Sequence, residues 1–404
     1  MPDTPARSQP PALPPGARDN IKRRVLEGLI GNAPPSPGDV LRRVEDALLS
    51  EGFLWPKSMM DRLSLDLSDE IFGLGPLESL MRDRTVSEIM VNGPDEVFVE
   101  RGGRLERLEM SLGSEDDVVD LVRKVIGPLN LRLDDTSPLV DARLPDGSRL
   151  NAVLPPISLR GPTVTIRRFR EKAFTLAELI ECGALTAEMA AFLEQAVSHR
   201  ANIMVSGGAS SGKTTLLNVL GSLIPAAERL ITIEDTAELR LDHPHVVSLE
   251  SRPANIEGRG EITVRDLVRN ALRMRPDRIV VGEVRGAEAL DMFQAMNTGH
   301  PGSLSTAHAN SPTDLLSRLE TMVLMSDVDI NEVAVRRQIC SSLDLVVHTR
   351  RLEDGRRIVD EIASMSTDGS GDRPVLERLF PRSTNGDSAP ACTARGLMAG
   401  ATKC

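Results

Sequence analysis

A glycine-rich segment with a lysine near its end, residues 205–215 with the sequence VSGGASSGKTT, carries the strongest chemical signal in the chain. The spacing G-x-x-x-x-G-K-[ST] of a phosphate-binding loop is met by Gly207, Gly212, Lys213 and Thr214. In such a loop consecutive backbone N–H groups and the positive end of a helix surround the phosphates. We expect Lys213 to reach the β- and γ-phosphate oxygens and the Thr214 hydroxyl to hold Mg²⁺. The alternative is a Gly/Ser turn that binds no ligand.

Two apolar runs end in carboxylates that suit phosphate chemistry. RLITIED delivers Glu234 and Asp235 to the end of a predicted strand, where they could orient Mg²⁺ or the attacking water. Taken singly, such a pair is more often a solvated loop or a helix cap. DRIVVGEVRG ends in Gly282 and Glu283, whereas nucleotide-binding strands of this type usually end in Asp and then Glu. We therefore predict that Glu283 polarises the water, the alternative being an acid that caps the following helix.

Histidines and arginines supply further candidates. TGHPGSLSTAHAN places His300 and His308 around a predicted strand without a third ligand at metal spacing. A γ-phosphate sensor or a subunit contact is therefore favoured over a metal site, and a plain structural histidine stays open. Earlier β-like runs contain four arginines, which are solvated strand charges or groups that complete a nucleotide site from a neighbouring domain or subunit. These are Arg143, Arg149, Arg167 and Arg168.

The elements that must position these residues divide the chain into five segments. From residue 171 onward helices alternate with the apolar runs NIMVSG, RLITIED, HVVSLE, RIVVGE, SLSTAHA and LDLVVHT, which predicts an α/β fold with a mostly parallel sheet covered on both faces. Before it, short β-like runs surround the amphipathic helix SEDDVVDLVRKVIG. The predicted segments are a disordered Pro-rich stretch at 1–18, a helical lead-in at 19–72, an α+β domain at 73–170, the α/β domain at 171–382 and a disordered tail at 383–404.

Composition limits the classes of function. A chain of 404 residues exceeds one ordinary core, so two or three domains are expected. The net charge of −11 and the near absence of aromatic residues, with no Tyr and only Trp55, make direct nucleic-acid binding unlikely. The four cysteines have no C-x-x-C spacing, which argues against zinc and against disulfides. Without an apolar run of about 20 residues or a signal core, we expect a cytoplasmic protein.

The four segments GGASSGKTT, ITIEDTAEL, IVVGEVRG and TGHPGSLSTAHAN together resemble the hexameric ATPases of the type II/IV secretion superfamily. Three further stretches are similar to the CpaF-like ATPases of tight-adherence (Flp) pilus assembly: GLGPLESLMRDRTVSEIMVNGPDEVFVERGG, DARLPDGSRLNAVLPP and RPANIEGRGEITVRDLVRNALRMRPDRI. The likeness runs from about Ile71 to Phe380. The tetracysteine zinc element usual in the pilus-extension and type II secretion branches is absent from the sequence.

The resemblance implies a RecA-like P-loop ATPase domain with a smaller N-terminal α+β domain, assembled as a homo-hexamer. It implies ATP and Mg²⁺ as ligands and inner-membrane platform proteins as partners, at the inner face of the cytoplasmic membrane. The implied catalytic residues are Glu283, Lys213, Glu234, Arg149, Arg167 and His300. The implied nucleotide-binding residues are Gly207, Gly208, Ala209, Ser210, Ser211, Gly212, Lys213, Thr214 and Thr215. Thr214 and Glu234 are the residues implied to hold Mg²⁺.

The sequence departs from the family pattern in the phosphate loop and near the C-terminus. Ala209 and Ser210 stand where the family usually has Thr and Gly, so a position that tolerates unusual dihedral angles carries a side chain. We expect nucleotide binding to survive and turnover to differ. ASMSTDGSGDRP replaces a Gly-Met-Glu-Gly turn. Two other functions stay open: a type IV secretion ATPase that moves effectors or DNA, and a nucleotide-gated scaffold without turnover.

Overall fold

A computed structural model describes two compact units of the chain, one within residues 1–169 and the other within 170–404. The described residues are 13–14, 16–28, 37–168, 173–252, 254, 259–326, 328–367 and 373–380. The boundary between the units lies beside the one predicted between residues 170 and 171. The tail predicted at 383–404 and most of the segment predicted at 1–18 lie outside the described residues, although Ala17 and Arg18 are helical.

The first unit begins with a helical lead-in of three helices. These are α1 (Ala17–Glu27), α2 (Pro37–Ser50) and α3 (Lys57–Phe72). Their apolar faces meet in one buried cluster that includes Ile21, Leu48 and Leu67. The first helix ends at Glu27 with Gly28 as its C-cap, and the Gly28 N–H still donates to carbonyl oxygens of the last helical turn.

A six-stranded antiparallel sheet completes the first unit. Its elements are α4 (Glu78–Arg82), β1 (Val86–Asn92), β2 (Val97–Arg101), β3 (Arg104–Leu108), α5 (Glu115–Ile126), β4 (Leu139–Arg143), β5 (Arg149–Val153) and β6 (Thr163–Arg167). The strand order is β3-β2-β1-β6-β5-β4. Alternate residues of the inner strands pack with the apolar face of α5 in a single cluster. Strand β3 was not predicted, because at the sheet edge nearly all of its side chains are exposed and it lacks an apolar pattern.

Polar contacts join the lead-in to this sheet layer. Ser114 caps α5 through a capping box with Asp117, which fixes where the helix begins. Near the other end of the helix, Lys124 Nζ donates to the Glu70 carbonyl oxygen at the end of α3, at 2.6 Å. Arg82 pairs with Asp69. The helical lead-in and the sheet layer therefore form one compact unit.

The second unit is built around an eight-stranded sheet. Its elements are α6 (Leu176–Glu181), α7 (Ala187–Ser198), β7 (Ile203–Gly207), α8 (Lys213–Ser222), β8 (Leu230–Glu234), β9 (Val246–Glu250), α9 (Val264–Ala271), β10 (Arg278–Val281), α10 (Glu288–Asn297), β11 (Leu304–His308), α11 (Pro312–Leu324), α12 (Glu332–Ser342), β12 (Leu345–Arg351), β13 (Arg357–Thr367) and β14 (Pro374–Phe380). The strand order is β14-β13-β12-β7-β11-β10-β8-β9. Within the described residues of both units, no helix has the length and apolar character needed to span a membrane.

Both faces of this sheet are covered by helices, as predicted. The six strands from β12 to β9 are parallel, and β13 and β14 add an antiparallel edge. Along β7, Ile203 and Val205 pack with α6 to α8, whereas Met204 packs with α9 to α12 on the opposite face. The carboxyl ends of β7, β11, β10 and β8 consequently meet at one edge of the sheet, which is where α/β sheets bind ligands.

Candidate nucleotide site

The glycine loop lies between β7 and α8, in the predicted order of strand, loop and helix. A Cβ atom on Gly207 would overlap the backbone carbonyl oxygen of Thr349 on the neighbouring strand, so only glycine fits there. Gly212 has a φ of 96° and precedes α8 without a capping side chain. The first N–H groups of a helix have no acceptor within it. Those of α8 therefore face the loop with no side-chain cap, which suits an anion such as phosphate.

The central part of the loop carries the departure noted in the sequence. Ser210 has a φ of 53°, in the left-handed region that favours glycine. Its carbonyl oxygen accepts a hydrogen bond from Arg357 Nε at 2.9 Å. The next residue, Ser211, is buried and bonds through its hydroxyl to that of Thr349 at 2.8 Å and to the Gly208 carbonyl at 2.9 Å. Strands β12 and β13 thus hold the loop from one side.

Lys213 is the buried cation of the site. Its Nζ donates to the carbonyl oxygens of Gly207 at 3.1 Å and Gly208 at 2.8 Å, and it lies 3.3 Å from His308 Nδ1. Burial lowers the pKa of Lys213, and the nearby Glu283 carboxylate opposes that shift. Thr214, in the same helical turn, is half-buried. Lys213 is held by loop carbonyls that phosphate oxygens can replace as acceptors.

Glu283 and His308 stand beside this lysine at the ends of adjacent strands. Glu283 Oε1 lies 3.1 Å from His308 Nε2, and Glu283 Oε2 accepts from Arg285 at 2.8 Å. Burial and the charge of Lys213 lower the pKa of His308, so its ring is neutral at pH 7. Oε1 is buried and receives no well-oriented hydrogen bond from any described residue. A buried carboxylate oxygen in this condition can accept a hydrogen bond from a water molecule or contact a cation.

Glu234 occupies the end of β8 with an exposure of only 5%. Its carboxyl oxygens accept hydrogen bonds from the backbone N–H groups of Glu238 at 2.8 Å and Leu239 at 2.9 Å. Burial raises the pKa of Glu234 to about 7, although these N–H groups act in the opposite direction. The adjacent Asp235 is exposed and lies 3.8 Å from Arg285. Burial therefore favours the protonated, neutral form of the Glu234 carboxyl group.

Position 282 has no room for the acid expected there. A Cβ atom on Gly282 would lie 2.7 Å from Glu234 Cγ, a distance that real Cβ atoms do not reach. The Gly282 amide donates to the Ile233 carbonyl at 2.8 Å, which fixes the two strand ends side by side. The side chain of Glu234 thus fills the space beside position 282. At this point of the sheet edge, Glu234 on β8 supplies the carboxylate that was expected at the end of β10.

His300 does not lie at the phosphate loop of its own chain. Strand β11 ends at His308, which pairs with Gly207, whereas His300 precedes the strand at the opposite edge of the sheet. The length of β11 from Leu304 to His308 is already about 13 Å, so His300 lies at least that far along the chain direction from the loop. Within a single chain it is His308, and not His300, that contacts Lys213. The sensor role and the subunit contact predicted for His300 both stay predictions.

The arginines expected at the nucleotide belong to the first unit. Arg143, Arg149 and Arg167 are paired across the adjacent strands β4, β5 and β6 and form one row. Glu88 on β1 is the next residue of that row, and its carboxylate accepts a hydrogen bond from Arg167 Nε at 2.8 Å. Arg168 instead donates to two backbone carbonyl groups near the start of β1. The structure brings Arg149 and Arg167 together in one row, while their role at the nucleotide stays a prediction.

A magnesium ion carried by nucleotide phosphates needs few protein ligands. Among the described residues no group of three or more His, Cys, Asp or Glu could hold a metal ion by itself. The buried Oε1 of Glu283, which receives no well-oriented hydrogen bond from a described residue, can contact a cation, because a positive charge stabilises an ionised carboxylate. Glu234 and Glu283 at the sheet edge and Thr214 in the first turn of α8 are the residues that fit Mg²⁺.

Sequence reasoning missed three residues of the site. Arg285 could have been noticed, since it follows Glu283 by two positions and pairs with it. Thr349 and Arg357 could not, because they are more than 130 residues from the loop and reach it only when β12 lies beside β7. Neither carries a local signal of its own.

Comparison with known proteins shows the family to which the chain belongs. Residues 70–378, about three quarters of the chain, match the type II/IV secretion system protein family. The chain belongs to that family. It is 40% identical over 303 residues to a Mycobacterium tuberculosis protein named for conjugal transfer, MT3759, covering 74% of this chain and 86% of that protein. It is 30% identical over 325 residues to the type IV secretion system protein VirB11 of Bartonella quintana, covering 72% and 91%.

Solved structures show the same fold in this family. The ATPase DotB of Yersinia pseudotuberculosis superimposes with a TM-score of 0.54 at 20% sequence identity, over 72% of this chain and 78% of that one. At that level of identity the likeness concerns the fold alone. The expected combination of a RecA-like domain and an N-terminal domain is confirmed. The narrower resemblance to Flp pilus ATPases stays a prediction.

Proposed function

We propose that this secretion-family chain hydrolyses ATP, as a homo-hexamer, to drive a membrane machine. The observation that carries the proposal is the set of groups around Lys213: a glycine loop, a neutral His308 and the buried, unbonded Oε1 of Glu283. A loop that only turned the chain would not require a buried lysine near an acid, since burying an uncompensated charge is costly. Phosphate binding with hydrolysis uses each of these groups.

The residues divide the reaction among them. The loop N–H groups and Lys213 bind the β- and γ-phosphates, and Glu283 Oε1 accepts a hydrogen bond from a water molecule. The water oxygen attacks the γ-phosphorus, the bond to the β-phosphate oxygen breaks, and ADP and phosphate leave. Thr214 and Glu234 would hold Mg²⁺, which would supply charge neutralisation to the phosphate oxygens. His308, being neutral, contacts both Lys213 and Glu283 without adding a charge, which leaves the carboxylate able to accept a proton.

For the machine, we propose Flp-type pilus assembly through inner-membrane platform proteins. The supporting feature is the set of three sequence stretches similar to the CpaF-like ATPases, two of which lie in the first unit and one in the second. The second candidate is a type IV secretion or conjugation ATPase, and the names of the relatives that are 30–40% identical favour it. The net charge of −11 speaks against direct handling of DNA by this chain.

Two substitutions test hydrolysis. Lys213→Ala should abolish both phosphate release and tight ATP binding, because the loop loses its cation. Glu283→Gln should bind ATP near the parental affinity and hydrolyse it at least about 100-fold more slowly, because an amide cannot accept the proton. Glu353→Gln, an exposed acid between β12 and β13, is the matched control and should be unchanged. If Lys213→Ala hydrolyses ATP at the parental rate, the loop is only a turn. If the unmodified protein binds ATP but does not hydrolyse it, the scaffold alternative is favoured.

The machine is tested with membranes and with DNA. Vesicles that contain the inner-membrane platform proteins of an Flp-type pilus should raise its ATPase rate if it drives such a pilus. Double-stranded DNA should leave that rate unchanged at low salt, where electrostatic binding is strongest. Stimulation by DNA with a steep salt dependence would instead favour the conjugation alternative.

A further inference from the structure

We propose that Arg357 is a positioning residue that holds the phosphate loop in its nucleotide-binding conformation through the carbonyl group of Ser210. The inference rests on the proposed nucleotide site and goes beyond it, since it concerns a residue of the β12–β13 hairpin and a feature particular to this chain. The juxtaposition that carries it is a left-handed serine in the loop bonded to an arginine 147 residues away.

Ser210 needs support that glycine would not need. With a φ of 53°, its Cβ approaches its own backbone more closely than in the right-handed region, which makes this conformation unfavourable for a residue with a side chain. Its neighbour Ala209 is exposed, so no burial holds the loop from that side. A conformation of this kind persists only where surrounding contacts impose it.

Arg357 supplies such a contact from outside the loop. It begins β13, where it pairs with Arg351 at the end of β12. Its stem passes Gly212, since a Cβ atom on that glycine would lie 3.6 Å from Arg357 Cδ. Its Nε then donates to the Ser210 carbonyl at 2.9 Å, a hydrogen bond from a charged donor.

Fixing one carbonyl group also orients the next N–H group. The peptide unit is planar and trans, so the Ser210 carbonyl and the Ser211 N–H point in opposite directions. With the carbonyl directed to Arg357, the Ser211 N–H is directed away from it. Thr349, on the other strand of the same hairpin, bonds the Ser211 hydroxyl at 2.8 Å. The hairpin therefore holds two successive loop residues, and with them the direction of an N–H group that a phosphate would meet.

A double-mutant cycle separates positioning from direct contact with the nucleotide. Arg357→Ala should raise the Kd for ADP about fivefold, because the competent loop conformation is then populated only part of the time. Ser210→Gly alone should stay within about twofold of the parent, and in the double variant it should restore affinity, because glycine adopts a φ of 53° without support. Arg357→Lys keeps a charged donor and should lose less than Arg357→Ala. Arg356→Ala, whose guanidinium bonds Asp354, is the matched control and should not change Kd.

Several outcomes would overturn the proposal. Equal losses on removing Arg357 in the parental and Ser210→Gly backgrounds would show that the guanidinium contacts the nucleotide or acts elsewhere. A fall in kcat at unchanged Kd in both backgrounds would assign Arg357 to the transition state. If the parent binds no ADP, the proposed function fails, and the cycle is read from urea midpoints instead. Arg357→Ala should then lower the midpoint more in the parental background than in the Ser210→Gly background, and additive midpoints would refute the inference.

Discussion

Glu234 links the chemistry of the site to the pH dependence of stability. Its side chain is buried at the end of β8, and burial raises its pKa from the ordinary value of 4.5 to about 7. Glu234→Gln places a neutral isostere of the protonated acid in the same space. The amide oxygen can still accept from the N–H groups of Glu238 and Leu239, so the local turn should be retained. The variant therefore removes the titration with little change of shape.

The sign and size of the effect follow from the two pKa values. Between pH 4.5 and pH 7 the folded protein binds more protons at this position than the unfolded chain, so its stabilising contribution is complete below pH 4.5 and is lost as pH rises through 7. At 1.36 kcal/mol per pKa unit the full loss amounts to about 3 kcal/mol. About 1 kcal/mol of it falls between pH 6 and pH 8. That interval lies above the isoelectric point near 5.2, where solubility is lowest.

Urea unfolding of the full chain, followed by far-UV circular dichroism at pH 6 and pH 8, measures this change. Trp55 lies in the helical lead-in and is the only tryptophan, so its fluorescence reports separately on the first unit. We expect the unfolding free energy of the parent, relative to Glu234→Gln, to fall by about 1 kcal/mol over the interval. A difference between the two proteins that stays constant with pH would refute the raised pKa and the burial argument behind it.

Two further predictions concern residues that sequence reasoning had already singled out. Gly282→Ala should displace the Glu234 side chain, because the new Cβ would lie 2.7 Å from its Cγ. The variant should lose about 1–3 kcal/mol of unfolding free energy and part of its ATPase rate. Parental stability and turnover would contradict the packing argument. Arg167→Ala should lower the rate of hydrolysis on the order of 10³-fold while nucleotide affinity stays within about tenfold. Arg168→Ala loses hydrogen bonds to backbone carbonyl groups and should therefore affect stability more than turnover. Assembled rings of Arg167→Ala that hydrolyse ATP at the parental rate would disprove the arginine role.

Much of the second unit was predictable because its signals are local. Apolar runs of four or five residues predicted β7, β8 and β10, since buried parallel strands are apolar on both faces. The glycine loop was predictable because its spacing lies within eight consecutive residues. The exposed edge strand β3 was not, because an edge strand needs no apolar side chains to pair through its backbone.

By itself, the sequence determined the buried strands of the second unit and where the phosphate loop lies, because periodicity and turn chemistry act over a few residues. Only the tertiary structure decided which strands are neighbours, and from that order came the contacts of the site. His308, and not His300, meets Lys213 because β11 lies beside β7 with its carboxyl end at the loop. Gly282 is small because β8 brings Glu234 against it. Such contacts depend on long-range packing between distant segments, and a local pattern carries no record of its eventual neighbour.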